Sequence, residues 1–529
     1  MRVGVDVGGT HTDAVVIDND QLLAAHKTLT TGDIASGVLG AVNEVLKQAG
    51  VAPGAVRMMN LGTTQFTNAV VERRRLSPIA AIRIGAQSSS ALPVAAKWPD
   101  DLREVVLGQP DLAGGLFVDG GTEYDGKPIV ALDGDALDEA VERIARSGVS
   151  TVAVTSVFAT TDASAEREAA ARLNARIPGV RVALSHQLGH LGLYQRENAT
   201  LLNASLLPLA DEVVSAFEQA FAALSMRCPF FISQNDGTLM AAAFARAYPV
   251  FTFSSGPTNS MRGALWLARH GDAMVVDVGG TTCDIGMLVD GFPRPSGSAV
   301  RVGGVLTNFR MPDVLAVALG GGSRVSAEGH QVGPGSVGRE LRSRALVFGG
   351  SELTATDIGA AQGWIEIGDR ACVAHLPKAL LEAASRVMRE RLELHVDQMK
   401  TNPAPLPLVV VGGGAFLVPD GLAGVSQTLR PRDGAVANAI GAALGQIGGE
   451  AQSVYVASRR PREQALAAVK DEAIGRAIQA GARQGTVDVV EVGEVPLSYS
   501  DEPGGTLHAR AVGDADLDRV AGASGEDAR

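Results

Sequence analysis

The sequence predicts an α/β protein built on two similar halves, and three observations carry that prediction. An apolar start, Val3 and Val5, leads through Asp6-Val7-Gly8-Gly9-Thr10-His11-Thr12-Asp13 into a second apolar run, Ala14-Val15-Val16-Ile17. The pattern returns far along the chain as Val275-Val276-Asp277-Val278-Gly279-Gly280-Thr281-Thr282-Cys283-Asp284-Ile285-Gly286, so the core D-V-G-G-T-x-x-D occurs twice. Around the two copies, apolar runs of strand length alternate with stretches of helical spacing, the rhythm of α/β domains.

Each copy reads as strand, tight turn, strand, with the glycine pair in the turn. Glycines let a backbone approach an anion closely, and Thr10 and Thr12 add hydroxyl donors. The carboxylates of Asp6 and Asp13 suit a hydrated divalent cation rather than a phosphate. Two such hairpins predict two similar domains facing one nucleotide, each giving one clamp and one aspartate on the metal side. A pair of plain β-hairpins is the bland alternative, and repetition of the whole pattern argues against it.

Composition bounds the reading. The chain has 529 residues, enough for several cores. At 46% hydrophobic and 20% charged it is not a disordered chain. A net charge of −12 and a pI of about 5.3 argue against nucleic acid as the main partner. Cys228, Cys283 and Cys372 are isolated and form no disulfide framework, which suits a reducing compartment. The N-terminus reads as a strand rather than a targeting segment, and no uncharged apolar run reaches the ~18 residues of a membrane span. The expectation is a soluble, cytoplasmic protein with no membrane contact.

In chain order, Ile34 to Ala49 has helical spacing and stops at Gly50. Met58 to Val71 reads as a strand, a polar turn Gly62-Thr63-Thr64-Gln65 and a helix start, with Thr63 or Thr64 as cap and Asn68 one turn on. Residues 79–115 read as loop-rich. Helices at Leu137–Ser147 and Ser164–Ile177 alternate with strands at Val152–Phe158 and Val180–Ser185, a small α/β domain inside the larger fold. His186 and His190 have helical metal-ligand spacing, but Gly189 between them favours a loop. Arg196 and Glu197 read either as solvated or as partnered polar groups on a helix. Phe230–Ser233 and Val250–Phe253 read as strands, the latter entering a helix at Ser254-Ser255-Gly256-Pro257. No G-x-S-x-G elbow marks Ser255 as a nucleophile. Gly320-Gly321-Gly322 and Gly412-Gly413-Gly414 are glycine turns of the sort that lie against a ligand, the second following the strand Leu408–Val411 and suited to a flat adenine ring. A helix is expected from Leu376 to Met399, and a small-residue helix from Ala435 to Ile447. Residues from about 452 form a further α/β piece ending in a frayed acidic tail.

With these residues in hand, the chain resembles the A-type subunits of the hydantoinase/oxoprolinase family, within the actin-like ATPase superfamily. The first hairpin is similar to the family's D-x-G-G-T-F-T-D, with His11 where Phe is usual. Gly62-Thr63-Thr64, Thr67-Asn68-Ala69 and Glu72-Arg73-Arg74 resemble H-G-T-T-x-x-x-N-A-x-x-E-R, with Leu61 for His. Ser185-His186, Tyr194-Gln195-Arg196, Thr200 and Asn203-Ala204 resemble S-H…Y-x-R…T…N-A. Ser255-Gly256-Pro257, Asp277 to Asp284, Gly320 to Ser323 and Val332 to Ser336 resemble four further segments, in consistent order from residue 1 to about 450. Arg339 to Leu346 stands where G-P-A-C-Y is usual, Ala165-Glu166 replaces a usual His-Glu, and only residues 451–529 stand where long members carry a large C-terminal region.

The resemblance implies two actin-like, ribonuclease H-like ATPase halves, residues 1–75 and 191–450. It further implies an inserted α/β domain at 76–190 and a C-terminal extension at 451–529. It implies ATP-dependent opening of a cyclic amide or imide through a phosphorylated imidate, with a second, B-type partner chain, and leaves homo-oligomers open. ATP phosphates would lie on Gly8, Gly9, Thr10, His11, Thr12, Gly279, Gly280, Thr281 and Thr282, and the rest of the nucleotide on Gly320, Gly321, Gly412, Gly413 and Gly414. Asp6 and Asp277 would orient Mg²⁺ and its waters, with Asp13 and Asp284 beside them as further catalytic carboxylates. The cyclic amide would lie near Thr63, Thr64, Asn68 and Arg196. The rival readings are a small-molecule kinase on the same fold, a non-metabolic actin-like ATPase and a carboxylase subunit.

Overall fold

The computed structural model describes residues 1–31, 34–188, 191–297, 300–309, 311–497 and 502–517. Its centre is the pair of hairpins. In the first, Arg2–Val7 runs antiparallel to His11–Asp18, with Asp6 opposite Asp13. In the second, Ala273–Val278 runs antiparallel to Cys283–Val289, with Asp277 opposite Asp284. Alternation sends Val3, Val5 and Val7 into one core and Val276 and Val278 into another, all at most 2% exposed.

Each hairpin seeds a sheet of the same topology. Gln21–Leu29 pairs antiparallel with the second strand, Met58–Thr63 runs parallel to the first, and Phe230–Ser233 runs parallel to that. In the second sheet Val314–Val317, Leu406–Val411 and Val425–Leu429 take the corresponding places. The order third-second-first-fourth-fifth, with only the first three strands antiparallel to one another, is the ribonuclease H-like arrangement, present twice.

The inserted sheet is fully parallel, in the order Leu116–Val118, Ala80–Ile84, Thr151–Ser156, Arg181–Leu184. Its inner strand, Ala80–Ile84, and the helix Asp100–Leu107 correct the loop-rich reading of 79–115. Arg83 hid the strand, because a charged residue in a five-residue run breaks the apolar signal. The side chain is 1% exposed and forms a two-pronged ion pair with Glu197, 2.6 Å on each prong. Glu197 and Arg196 sit on the 31-residue helix Leu193–Ala223 and are buried, not solvated. Arg83→Met is expected to cost about 3–5 kcal/mol in urea unfolding, since it strands a buried carboxylate, and Arg83→Met/Glu197→Leu to recover most of that. Equal losses in both variants would show that the pair is not what stabilises the junction.

Three other expectations change. Val250–Phe253 is a short turn of 3-10 helix, Pro249–Thr252, rather than a strand. The small-residue helix is shorter, Ala437–Ala443, because the chain turns at Leu444 into the strand Ile447–Val456. That strand pairs with Gly504–Gly513, which pairs with Asp488–Pro496, and all three extend the first sheet to nine strands through Leu239–Ala241. The sheet therefore joins residues across the expected boundaries at 75, 190 and 450. Pairing follows hydrogen-bonding edges rather than the order of the chain.

Two helices lie between the sheets, Ser255–Ala268 and Ala437–Ala443, and pack backbone to backbone. A Cβ on Gly263 would lie 1.9 Å from the Ala437 carbonyl, and one on Gly441 1.9 Å from that of Asn259. The small residues seen in sequence thus permit close approach of the two halves. Among the described residues no helix is long and apolar enough to cross a membrane. His190 and the tail beyond residue 517 lie outside the described residues.

Candidate functional site

The two hairpin turns close alike. The Gly8 amide donates to the His11 carbonyl at 3.0 Å, and the Gly279 amide to that of Thr282 at 2.9 Å. The turns face each other, since a Cβ on Gly280 would lie 3.7 Å from the Thr10 side chain. Gly9, Thr281 and Thr282 are exposed, and Gly8, Thr10, His11, Gly279 and Gly280 are half-buried, so both turns open onto one cleft. Thr12 does not join them. Strand alternation turns it inward, where it is 1% exposed and its hydroxyl lies 3.2 Å from that of Thr30. Thr30 in turn donates to the Gly8 carbonyl at 2.8 Å, so Thr12 braces the turn from behind.

The glycine turns also support the hairpins. The Gly321 and Gly322 amides donate to the Gly279 and Gly280 carbonyls at 3.1 and 2.7 Å. The Gly414 amide donates to the Val278 carbonyl at 2.7 Å, and a Cβ on Gly412 would lie 2.2 Å from Asp277 Oδ1. Gly413 faces the other half, with Lys27 Cε 4.0 Å from where its Cβ would be. Gly320 packs against Thr281 and Gly279.

Beneath the turns lie Asp6, Asp13, Asp277 and Asp284. Lys27 bonds both oxygens of Asp13, at 2.7 and 2.6 Å, and the Ala435 carbonyl at 3.1 Å. Ser260 donates to Asp277 Oδ2 at 2.5 Å and also meets Asn438 Oδ1. Asn438 Nδ2 donates to Asp6 Oδ2 at 3.4 Å, completing a polar bridge between the two aspartates. Sequence reasoning missed Lys27, Ser260 and Asn438. The one local signal was an Asn within a run of small apolar residues.

Burial pushes the Asp6 carboxyl up to about 7, helped by Asp13 and Asp277 and opposed by Asn438 and Lys27. Burial and Asp277 push Asp284 up to about 7 as well, and burial raises Asp13 and Asp277. Burial, then Lys27 and Arg342, hold the His11 imidazole below its usual value. Between about pH 4 and 7 the folded chain keeps a proton on Asp6 that the unfolded chain releases. Stability from this group therefore falls as pH rises through that window and is gone above it. The Tm gain of Asp6→Asn over the parent is expected to grow from about pH 5 to pH 8, by the equivalent of a few kcal/mol at most. A gain that does not change with pH would refute this.

Among the described residues no group of three or more His, Cys, Asp or Glu side chains forms a metal cage. The residues fit a hydrated cation in another way. Lys27 pairs with Asp13, and among the described residues no ion pair is made by Asp6, Asp277 or Asp284, so the cleft floor has carboxylate oxygens to offer a cation. So small a set of oxygen donors suits Mg²⁺ completed by water and phosphate.

Thr63 ends its strand opposite Val7, Thr64 donates to the Val7 carbonyl at 3.4 Å, and Asn68 donates to Thr64 at 3.3 Å, so these three border the first hairpin. Arg196 is not brought to them. It is 1% exposed and donates to the Ser185 hydroxyl at 2.9 Å and the Ser156 carbonyl at 2.6 Å, in the wall beside the inserted sheet. Burial within a packed helix interface, invisible in sequence, makes it a structural donor.

Comparison with known proteins follows the geometry. The profile of the hydantoinase/oxoprolinase N-terminal region matches residues 2–177, and that of hydantoinase/oxoprolinase matches residues 196–369. The caprolactamase alpha subunit of Pseudomonas jessenii is 26% identical over 401 residues, 69% of this chain and 55% of that one. The acetophenone carboxylase gamma subunit of Aromatoleum aromaticum is 23% identical over 393 residues, 69% and 53% of the respective chains. The chain thus spans a little over half the length of these curated relatives. The structure of ATP-dependent caprolactamase from Pseudomonas jessenii is alike at a TM-score of 0.79 and 19% identity, covering 97% of this chain and 87% of that one. Nucleotide-free acetone carboxylase is alike at 0.69 and 16%, covering 98% and 88%. At those identities the likeness is one of fold.

Proposed function

The chain belongs to the hydantoinase/oxoprolinase family, and from that premise we propose that it is an ATP-dependent hydrolase that opens a cyclic amide or imide together with a second subunit. The observation that carries the reading is the pair of matching hairpins facing one cleft above buried aspartates. Relatives named as an ATP-dependent caprolactamase and as subunits of larger enzymes support it.

The chemistry is consistent with those residues. An unstrained cyclic amide resists water because its C–N bond has partial double-bond character. Transfer of a phosphoryl group to its carbonyl oxygen breaks the β–γ bond of ATP and makes a phosphorylated imidate. One water then adds and the ring C–N bond breaks, and a second water releases phosphate from the acyl phosphate left behind. Backbone amides and hydroxyls of Gly9 to His11 and of Gly280 to Thr282 would hold the phosphates, while the Gly8 and Gly279 amides close the turns. Gly413 and its turn would border the adenosine. Asp6 and Asp277 would hold waters on Mg²⁺, which when bound would neutralise phosphate charge. Asn438 and Ser260 keep the two aspartates in place.

The test is ATP hydrolysis by the purified chain with and without a panel of hydantoins and lactams, repeated with a candidate second subunit. Stimulation by one ring class supports the reading. The likeness to acetone and acetophenone carboxylases favours one rival. Turnover that ignores every ring but responds to a ketone with bicarbonate would replace the hydrolase reading with that rival.

A further inference from the structure

Past the glycine turn that supports the second hairpin, the chain doubles back against it. Val332–Ser336 pairs antiparallel with Ser323–Val325. The Val337 amide then donates to the Gly322 carbonyl at 2.9 Å, and the Gly322 amide donates to that of Gly280 at 2.7 Å. The Gly338 amide donates to the Ser336 hydroxyl at 3.1 Å. A Cβ on Gly338 would lie 4.0 Å from Thr281 Oγ1. The backbone at 337 and 338 is thus fixed beside the second turn. It continues as a turn of 3-10 helix, Gly338–Glu340, and one helical turn, Leu341–Arg344, the stretch in which the chain departs from the family pattern.

Three arginines stand on this stretch, Arg339, Arg342 and Arg344. Arg344 is engaged, with Glu340 at 2.6 Å and with Glu352. Arg342 is exposed, and among the described residues it makes no hydrogen bond or ion pair. Most exposed arginines are merely solvated. The place of this one argues otherwise. Its backbone is anchored beside the second turn, and its charge is felt at the first, where burial, then Lys27 and Arg342, hold the His11 imidazole below its usual value. The two turns are themselves adjacent, Gly280 beside Thr10. A guanidinium rooted at one turn and acting on the other stands at the open side of the gap between them. Lys27, in contrast, is held on Asp13 beneath the turns.

A triphosphate seated on the turn amides would place its terminal phosphate in that gap. During transfer, charge spreads over the three equatorial oxygens of that group. A guanidinium presents a planar fork of N–H donors that matches two such oxygens, and it stays charged at neutral pH.

We propose that Arg342 is a catalytic residue, its guanidinium gripping the terminal phosphate of ATP and holding the phosphoryl group during transfer to the ring carbonyl oxygen. The inference rests on the ATP-dependent hydrolase reading and adds to it a side chain outside both hairpins. In the step itself the carbonyl oxygen gives the electron pair of the new P–O bond, and ADP leaves with the pair of the old one. Arg342 neither gives nor takes a proton.

The test is calorimetric titration of the full chain with Mg²⁺ and either ADP or AMPPNP, an ATP analogue with an uncleaved N–H bridge between its β and γ phosphorus atoms. Arg342→Gln is expected to weaken AMPPNP about tenfold, the equivalent of about 1.4 kcal/mol, and to leave ADP unchanged. Arg342→Lys keeps the charge without the fork and should fall between parent and Arg342→Gln. Steady-state ATP turnover should drop about 10²–10³-fold in Arg342→Gln, the range for losing one donor to a developing charge. Its melt should match the parent's, since the side chain is exposed and unpaired among the described residues. Unchanged AMPPNP affinity, or equal weakening of ADP and AMPPNP, would overturn the assignment. If Arg342→Gln keeps both affinities and a ring-stimulated turnover, the arginine assignment fails and the hydrolase reading stands. If AMPPNP alone is weakened but no ring stimulates the parent, the hydrolase reading fails and Arg342 stands as a terminal-phosphate residue. A parent chain that binds neither nucleotide would overturn both.

Discussion

Asp277→Asn is expected to lower ATP turnover by about 10²–10⁴-fold, the range for losing a positioned proton acceptor or the carboxylate that orients one. Asp277 is the next-to-last residue of the first strand of the second hairpin, opposite Asp284, and its Oδ2 accepts from Ser260 at 2.5 Å. An asparagine there keeps the size of the side chain and an oxygen for Ser260, so the fold should survive. What it loses is negative charge. Burial raises the Asp277 carboxyl above its usual value, so folding disfavours its charged form. The variant should therefore melt at or above the parent's temperature at about pH 8 while its turnover collapses. The measurement is paired, steady-state ATP hydrolysis beside a thermal melt. Loss of both together would mean that Asp277 is structural. Full turnover would remove it from the mechanism and, with it, the argument from the facing hairpins.

Gly412→Ala is expected to lose roughly 3–5 kcal/mol of stability. Gly412 has φ +87°, a region costly for any residue with a Cβ. Its Cβ would also lie 2.2 Å from Asp277 Oδ1 and 2.4 Å from the Val278 carbonyl, neither able to move without disturbing the hairpin. If the chain still folds, nucleotide binding should fall, because the displaced group is the carboxylate beneath the second turn. Gly413→Ala is the control. Nothing but the Lys27 stem comes within 4.0 Å, so its melt should match the parent within experimental scatter. Equal effects at the two positions would show that the turn as a whole, rather than the contact with Asp277, is what matters.

The hairpins were legible because their information is local. Period-two alternation of valines around a glycine turn fixes strand, turn and inward face within a dozen residues, and the second copy removed the ambiguity of the first. The same alternation already contained the correction to Thr12. It sits one residue from Asp13 and so on the other face, with Cys283 in the corresponding buried place of the second hairpin. Ranges that read poorly, such as 79–115, were those where a charged residue inside a short strand breaks the pattern. Arg83 does so because its partner, Glu197, lies on a distant helix.

By itself, then, the sequence determined the two hairpins, the aspartates near the ends of their strands, the glycine turns that support them and the α/β class. Each depends on backbone geometry over a few neighbouring residues. Only the tertiary structure decided which charges meet. Sheet register set Lys27 on Asp13, helix packing set Ser260 and Asn438 between Asp6 and Asp277, and burial took Arg196 out of the cleft. Strand pairing carried residues 447–513 back onto the first sheet, and the fold of the chain set His186 on Glu166 beside an aromatic cavity. These are contacts between segments far apart in the chain. Their energies come from desolvation and from hydrogen bonds that exist only once the core has closed, so no local pattern records them.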